Sequence, residues 1–186
     1  MLRLRQRHAQ KMIMIGAGAV VLAMAGATAY AFSYSKSGGG DVEQHFITQT
    51  AAMLVPATPG WHDIPNTSFD ITAPASNSSH RLAHVTFSAE SRCVNANWCA
   101  VRAVFTSGES GILYEMDPAP GANFAFDSGG QRGAHSMSRI AVLSGDGEGV
   151  HYKFKLQAQI VGGTSASVFR LDDYLTQMEV SNTPIQ

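Results

Sequence analysis

The chain has 186 residues and a mass of 19.8 kDa, enough for one ordinary domain plus a short extension. Apolar residues make up 45% and charged residues only 15%, against roughly 25% charged in a typical soluble domain, which argues against a highly charged, intrinsically disordered chain. The net charge of −1 and pI near 6.6 argue against a nucleic-acid-binding domain; 18 glycines without a G-x-y period exclude collagen, and two cysteines exclude a disulfide-dense mini-protein.

Charge is polarised at the start of the chain. Arg3, Arg5, Arg7 and Lys11 precede a 24-residue run without charge, Met12 to Ser35. Setting residues 1–31 aside removes four of the 13 cations and none of the 14 acids, so the remainder carries a net charge of −5. A mildly acidic domain is a poor match for nucleic acid or an anionic lipid surface. The basic start, the apolar stretch and the small residues at its end are the parts of an export signal, with small-x-small cleavage sites at Ala25-Gly-Ala27, Ala27-Thr-Ala29 and Ala29-Tyr-Ala31. An uncleaved membrane anchor is the competing reading, since about 20 apolar residues can span a bilayer. No cysteine stands near the cleavage region to be acylated, and a twin-arginine pair is missing. Residues 1–31 therefore read as a signal peptide or membrane anchor, a hydrophobic export helix, and the rest as extracytoplasmic, secreted or tethered. Residues 32–40, rich in Ser and Gly, read as a flexible spacer before a domain at 41–186.

Beyond Gly40 the apolar segments are short and alternate with period two. Tyr152, Phe154, Leu156, Ala158 and Ile160 share one face, and Lys153, Lys155, Gln157 and Gln159 the other, as in a strand with one side on a core and one in water. Ala83, Val85, Phe87 and Ala89 repeat the pattern, followed by Val101, Ala103 and Phe105, and later by Tyr174, Thr176, Met178 and Val180. Turn formers separate these runs, among them Pro56-Ala-Thr-Pro-Gly60, Ser128-Gly-Gly130 and Ser144-Gly-Asp-Gly-Glu-Gly149. The rhythm predicts an all-β domain, an antiparallel β-sandwich or jelly roll of eight or nine strands. The strands are expected near 45–55, 67–72, 81–89, 99–106, 111–116, 123–127, 135–143, 150–161 and 167–180, the last with a break at Asp172-Asp173.

Cys93 and Cys99 bracket Val-Asn-Ala-Asn-Trp between two of these strands, and in an oxidising compartment they are expected to pair across a hairpin tip. A loop this short contributes roughly 2–2.5 kcal/mol on the chain-entropy estimate. A redox dithiol favours tighter spacing, and zinc would need further ligands close by.

Trp61-His-Asp-Ile-Pro65, Ser68-Phe-Asp-Ile-Thr-Ala-Pro74, Val85-Thr-Phe-Ser-Ala-Glu-Ser-Arg-Cys93, Trp98-Cys-Ala-Val-Arg102, Phe124-Ala-Phe-Asp-Ser128 and Phe169-Arg-Leu-Asp-Asp-Tyr174 occur in that order. Together they resemble a group of uncharacterised bacterial secreted proteins, which implies a single β-sandwich behind a signal peptide with a similar cysteine pair. The strand rhythm and the aromatic-rich final strand are also distantly similar to the C1q/TNF type of jelly roll, a likeness that implies trimerisation. Neither resemblance brings an activity or catalytic residues.

Candidate chemistry is sparse. His80 and His84 are four apart, which on a strand is about 13 Å, too far for shared metal ligation. Asp146 with Glu148, and Asp172 with Asp173, are weak calcium candidates; the first pair also suits a hairpin turn, and Arg170 offers the second an ion pair. A G-x-S-x-G elbow is absent, and the spacing of Glu90, Glu109 and Glu115 does not single out a glycosidase pair. Trp61 and Trp98, in expected loops, are candidates for an aromatic ligand platform, or else they plug the ends of the sandwich. No cofactor is expected. Two functions follow: an exported, non-catalytic module that binds carbohydrate or a cell-surface protein or self-associates into a homo-oligomer, or a small extracellular hydrolase acting on a polysaccharide or other polymer.

Overall fold

The period-two alternation is realised as strands throughout. A computed structural model of the chain describes the backbone of residues 32–39 and, in full, residues 42–72, 80–108, 111–119, 125–144 and 149–181. Among these residues there are eleven strands and no helix: β1 (Phe32–Gly39), β2 (Val42–Gln49), β3 (Met53–Val55), β4 (His62–Asp63), β5 (Phe69–Thr72), β6 (His80–Val94), β7 (Trp98–Ser107), β8 (Leu113–Glu115), β9 (Gly133–Ser144), β10 (His151–Val161) and β11 (Val168–Ser181). The segment read as an export helix, residues 1–31, lies outside the described residues, among which no helix is long and apolar enough to cross a membrane.

The strands form two antiparallel sheets, a β-sandwich. The first runs β1-β2-β11-β6-β9, with β3 also pairing β11; the second runs β4-β10-β7-β8, with β5 also pairing β10. Consecutive strands repeatedly change sheet, so each sheet is assembled from distant parts of the chain. Between them lies one core in which Phe87, Phe154, Leu156, Phe169, Leu171 and Met178 are buried. Each such side chain removed from water contributes about 1.5–3 kcal/mol. β10 shows the sequence logic directly: Tyr152, Phe154, Leu156, Ala158 and Ile160 are buried, while Lys153 stands in solvent.

β11 solves a parity problem. Phe169 and Leu171 are buried at odd positions, then Tyr174, Thr176, Met178 and Val180 at even ones. A strand alternates strictly, so both sets can face one core only if a residue is inserted between them. The register against β6 shifts between Asp172 and Leu175, and Asp173 takes a left-handed φ of 43°. The expected break at Asp172-Asp173 is thus a bulge inside a continuous strand.

Within the segment read as a flexible spacer, Phe32–Gly39 form β1, paired with β2 from Phe32↔Gln49 to Gly39↔Val42. Two expectations are corrected. The expected strand at 45–55 divides into β2 and β3, while the described part of 123–127 makes only an isolated bridge, Cys99↔Asp127. The disulfide Cys93–Cys99 is present, with Cα atoms 5.9 Å apart, but it does not close a hairpin. β6 belongs to the first sheet and β7 to the second, so the bond ties the two sheets together at the arch between them. Both cysteines are buried, and residues 127–129 bind both sides of the arch: Cys93 N donates to Gly129 O (3.1 Å) and Cys99 N to Asp127 O (2.7 Å). A disulfide is compatible with an oxidising, extracytoplasmic location.

Candidate functional site

The outward face of the second sheet carries the most organised set of polar side chains. Strand register builds it. Asp63 of β4 lies opposite Gln157 of β10, which lies opposite Arg102 of β7. Gln157 Nε2 donates to Asp63 Oδ1 (2.7 Å), and Arg102 Nε and Nη2 both donate to Gln157 Oε1 (2.9 and 2.8 Å). Arg102 Nη1 is also 3.7 Å from Glu115 Oε2 on β8, and Lys155 Nζ donates to Asp63 Oδ2 (2.9 Å). One connected belt therefore crosses β4, β10, β7 and β8. Burial alone would raise the Asp63 carboxyl, but the bonds from Gln157 and Lys155 outweigh it and hold the group below its ordinary range. Burial lowers the Arg102 guanidinium, with Glu115 opposing the shift.

Trp61 belongs to this belt. The Arg102 guanidinium lies 4.3 Å from the centre of its ring, a cation–π contact that covers one aromatic face. Trp98, half-buried, opens β7 opposite Val161, four residues and about 13 Å from Arg102 along the strand. The two tryptophans share a sheet face but do not make a contiguous platform.

Beside the belt, towards β5, the same face hollows into a groove of about 530 Å³ lined by Ser68, Asp70, Thr106, Leu113, Lys153 and Lys155. Asp70 and Lys153 are directly opposite in register, yet among the described residues neither makes an ion pair. A carboxylate, an ammonium and two hydroxyls are thus presented to solvent beside the exposed Leu113 side chain. Nothing in the sequence pattern singled out Asp70, Lys153 or Arg102; the only signal was that Lys153, Lys155 and Gln157 share the polar face of β10.

The other sequence candidates are placed as follows. Asp172 Oδ2 accepts from Arg132 Nη2 (2.8 Å) and Arg170 Nη2 (2.7 Å), which occupies it as an ion-pair partner. Asp173 points outward on the bulge. Asp146 and Glu148 lie outside the described residues. Among the described residues no three His, Cys, Asp or Glu side chains are placed to hold a metal ion.

Two serine–histidine–acid groups bear on hydrolysis. Ser91 Oγ donates to Asp127 Oδ2 (2.6 Å) and lies 2.8 Å from His135 Nδ1. With its own proton on Asp127, Ser91 must accept from the imidazole, the reverse of an activated nucleophile, and it is only 1% exposed. On the outer face of the first sheet, Ser138 Oγ meets His84 Nε2, and His84 Nδ1 is 3.6 Å from Glu179 Oε2. That is the order of a hydrolytic triad, on a sheet whose backbone N–H groups lie in the strand plane rather than towards the serine oxygen.

Neither protein-family models nor curated protein sequences match the chain.

Proposed function

We propose that the chain is an exported jelly-roll module that binds carbohydrate at the outer face of its second sheet. The strand orders β2-β11-β6-β9 and β4-β10-β7-β8 have the interleaving of a jelly roll, with β1 added at one edge. Export is supported by the basic, apolar and small-residue segments of 1–31 together with the disulfide.

The groove carries the binding reading. Adjacent sugar hydroxyls each donate and accept, so a carboxylate and an ammonium facing one another take them in pairs, while the C–H face of the ring packs on Leu113. A glycan array identifies the ligand, and titration of the double variant Asp70→Asn, Lys153→Met tests the site. At least tenfold weaker binding is expected; an array without hits, or unchanged affinity in the variant, overturns the reading. Mass measured in the same solutions tests self-association, for which the exposed Ile140, Val142 and Leu175 on the first sheet speak.

The hydrolase reading rests on Ser138, His84 and Glu179. Labelling of Ser138 by a fluorophosphonate, lost in His84→Gln, would support it; the binding reading expects no labelling.

A further inference from the structure

Away from the groove, the two ends of the sandwich differ in charge. At one end β6 passes to β7 through the arch at 95–97, β10 to β11 through the turn at 162–167, and β3 crosses to β4. The three segments that build this end, 50–61, 93–101 and 158–169, contain no charged side chain. The opposite end carries Glu43, Arg81, Asp117, Lys153 and Glu179. It stands about 26 Å away, the eight residues from Val161 to Lys153 along β10, against a screening length of about 8 Å at physiological salt. The acids there therefore do not oppose a partner at the charge-free end.

That end is fixed in shape and partly apolar. Asn97 N donates to Val161 O (3.0 Å), Asn95 Nδ2 to Ala166 O (3.0 Å) and Ser167 Oγ to Asn95 O, which joins the arch and the turn into one tip. Leu54 is 66% exposed and Val168 40%, and Trp98 is half-buried at the start of β7. Behind the tip, on the outward face of the first sheet, Leu54, Arg170 and Arg92 lie side by side in register. The two arginines are two residues, about 7 Å, from Val168 and Val94 along their strands. Arg170 and Arg132 both donate to Asp172, and Arg132 also meets Glu90 (3.2 Å). Arg92 is held by its Nε on Gly130 O (2.7 Å) and has no carboxylate partner among the described residues. Like charges directly opposite on neighbouring strands repel, and an anion beside them relieves the repulsion.

The course of the chain says what covers this end. β1 starts at Phe32, level with Gln49 and Tyr174, and runs away from the charge-free end to Gly39. The apolar run within residues 1–31, long enough for a membrane anchor, therefore joins the domain from the side of that end.

We propose that the charge-free end rests on the phospholipid bilayer that holds the N-terminal segment: Leu54, Val168 and Trp98 enter the headgroup interface, Arg92 and Arg170 meet lipid phosphates, and the groove faces away. Tryptophan at the interface with arginine at phosphate depth is the usual pattern of membrane anchoring. The proposal concerns the tethered form and does not depend on what the groove binds.

The test places the full chain in phosphatidylcholine nanodiscs containing a lipid with a gadolinium chelate on its headgroup, and reads paramagnetic broadening of backbone amides by ¹H–¹⁵N NMR. Broadening at Leu54, Val94, Trp98 and Val168 is expected to exceed that at Asp70 and Lys153 at least fivefold. Leu54→Asp with Val168→Asp, both at exposed positions, is expected to bring the ratio below twofold while a dispersed spectrum shows the fold intact. Arg92→Glu, a second and milder variant, is expected to halve it. Equal broadening over the domain, or broadening centred on Lys153, overturns the proposal, because the domain then swings on its tether or faces the other way. An unchanged ratio in the folded variants overturns it as well. A chain that stays out of the discs removes the tether and the proposal with it.

Discussion

The two outward faces of the sandwich are built from strands of the same kind and use them differently. On the first sheet Ser138, His84, Glu179 and Gln44 link β9, β6, β11 and β2, Ser88 to Ser136 (3.0 Å) is a separate pair, and Ile140 and Val142 on the edge strand are exposed, 45% and 55%. On the second sheet Asp63, Gln157, Arg102 and Glu115 join side by side across β4, β10, β7 and β8, and Trp61 lies against the guanidinium. Both faces carry a cross-strand network, and the second lies beside a groove. Burial rather than connectivity distinguishes the face organised for recognition: the Arg102 side chain is 17% exposed and that of His84 37%, and a buried network holds each member in position at little entropic cost when a ligand arrives.

Both faces rest on the same core, so the largest effect expected is one that removes the comparison altogether. Phe87 is fully buried against Phe126 and Tyr174, with ring centroids at 5.6 and 5.8 Å. Phe87→Ala is expected to cost about 3–5 kcal/mol in urea unfolding. Next comes the bond that holds the faces in one body: Cys93→Ser with Cys99→Ser should cost about 2 kcal/mol, and a reducing agent should destabilise the wild type but not the variant.

Single substitutions then separate the faces. Arg102→Ala leaves Gln157 and Glu115 short of a partner and uncovers Trp61, for an expected loss of about 1–3 kcal/mol. Ser88→Ala on the first face should stay within about 0.5 kcal/mol. Equal losses from the two in parallel denaturant titrations would break the contrast between the buried network and the exposed pair.

The smallest effect is a pH dependence. Asp63 titrates below its ordinary value of 3.8 in the folded chain, so its contribution is fully present above that value and is lost as pH falls through the lower folded one. The carboxylate is largely exposed, which keeps the term small. The stability difference between wild type and Asp63→Asn, followed by urea unfolding from pH 6 to pH 3, should be constant at first and shrink only below the ordinary carboxylate range.

The parts of this architecture that were legible in the sequence are those decided within one strand. β10 was readable because Tyr152 to Ile160 alternate without interruption, and the bulge in β11 announced itself as two aspartates where the apolar parity changes. The cysteine pair was readable from spacing, whereas its role between the sheets depended on β6 and β7 finding different partners. β4 escaped because two residues carry no period, and β1 because Ser and Gly pass for a linker. The belt escaped for the same reason as the disulfide's role: Gln157 lies 55 residues from Arg102 and 94 from Asp63, and only register brings them side by side.

The most direct test of the central claim is to map backbone amide shifts while titrating the full chain with the strongest hit from the glycan array. Recognition by the second face predicts saturable shifts centred on Asp70, Thr106, Lys153 and Lys155, with the first sheet silent. Shifts centred on His84, Ser138 and Ile140 instead would contradict it and move the functional surface to the opposite side of the sandwich.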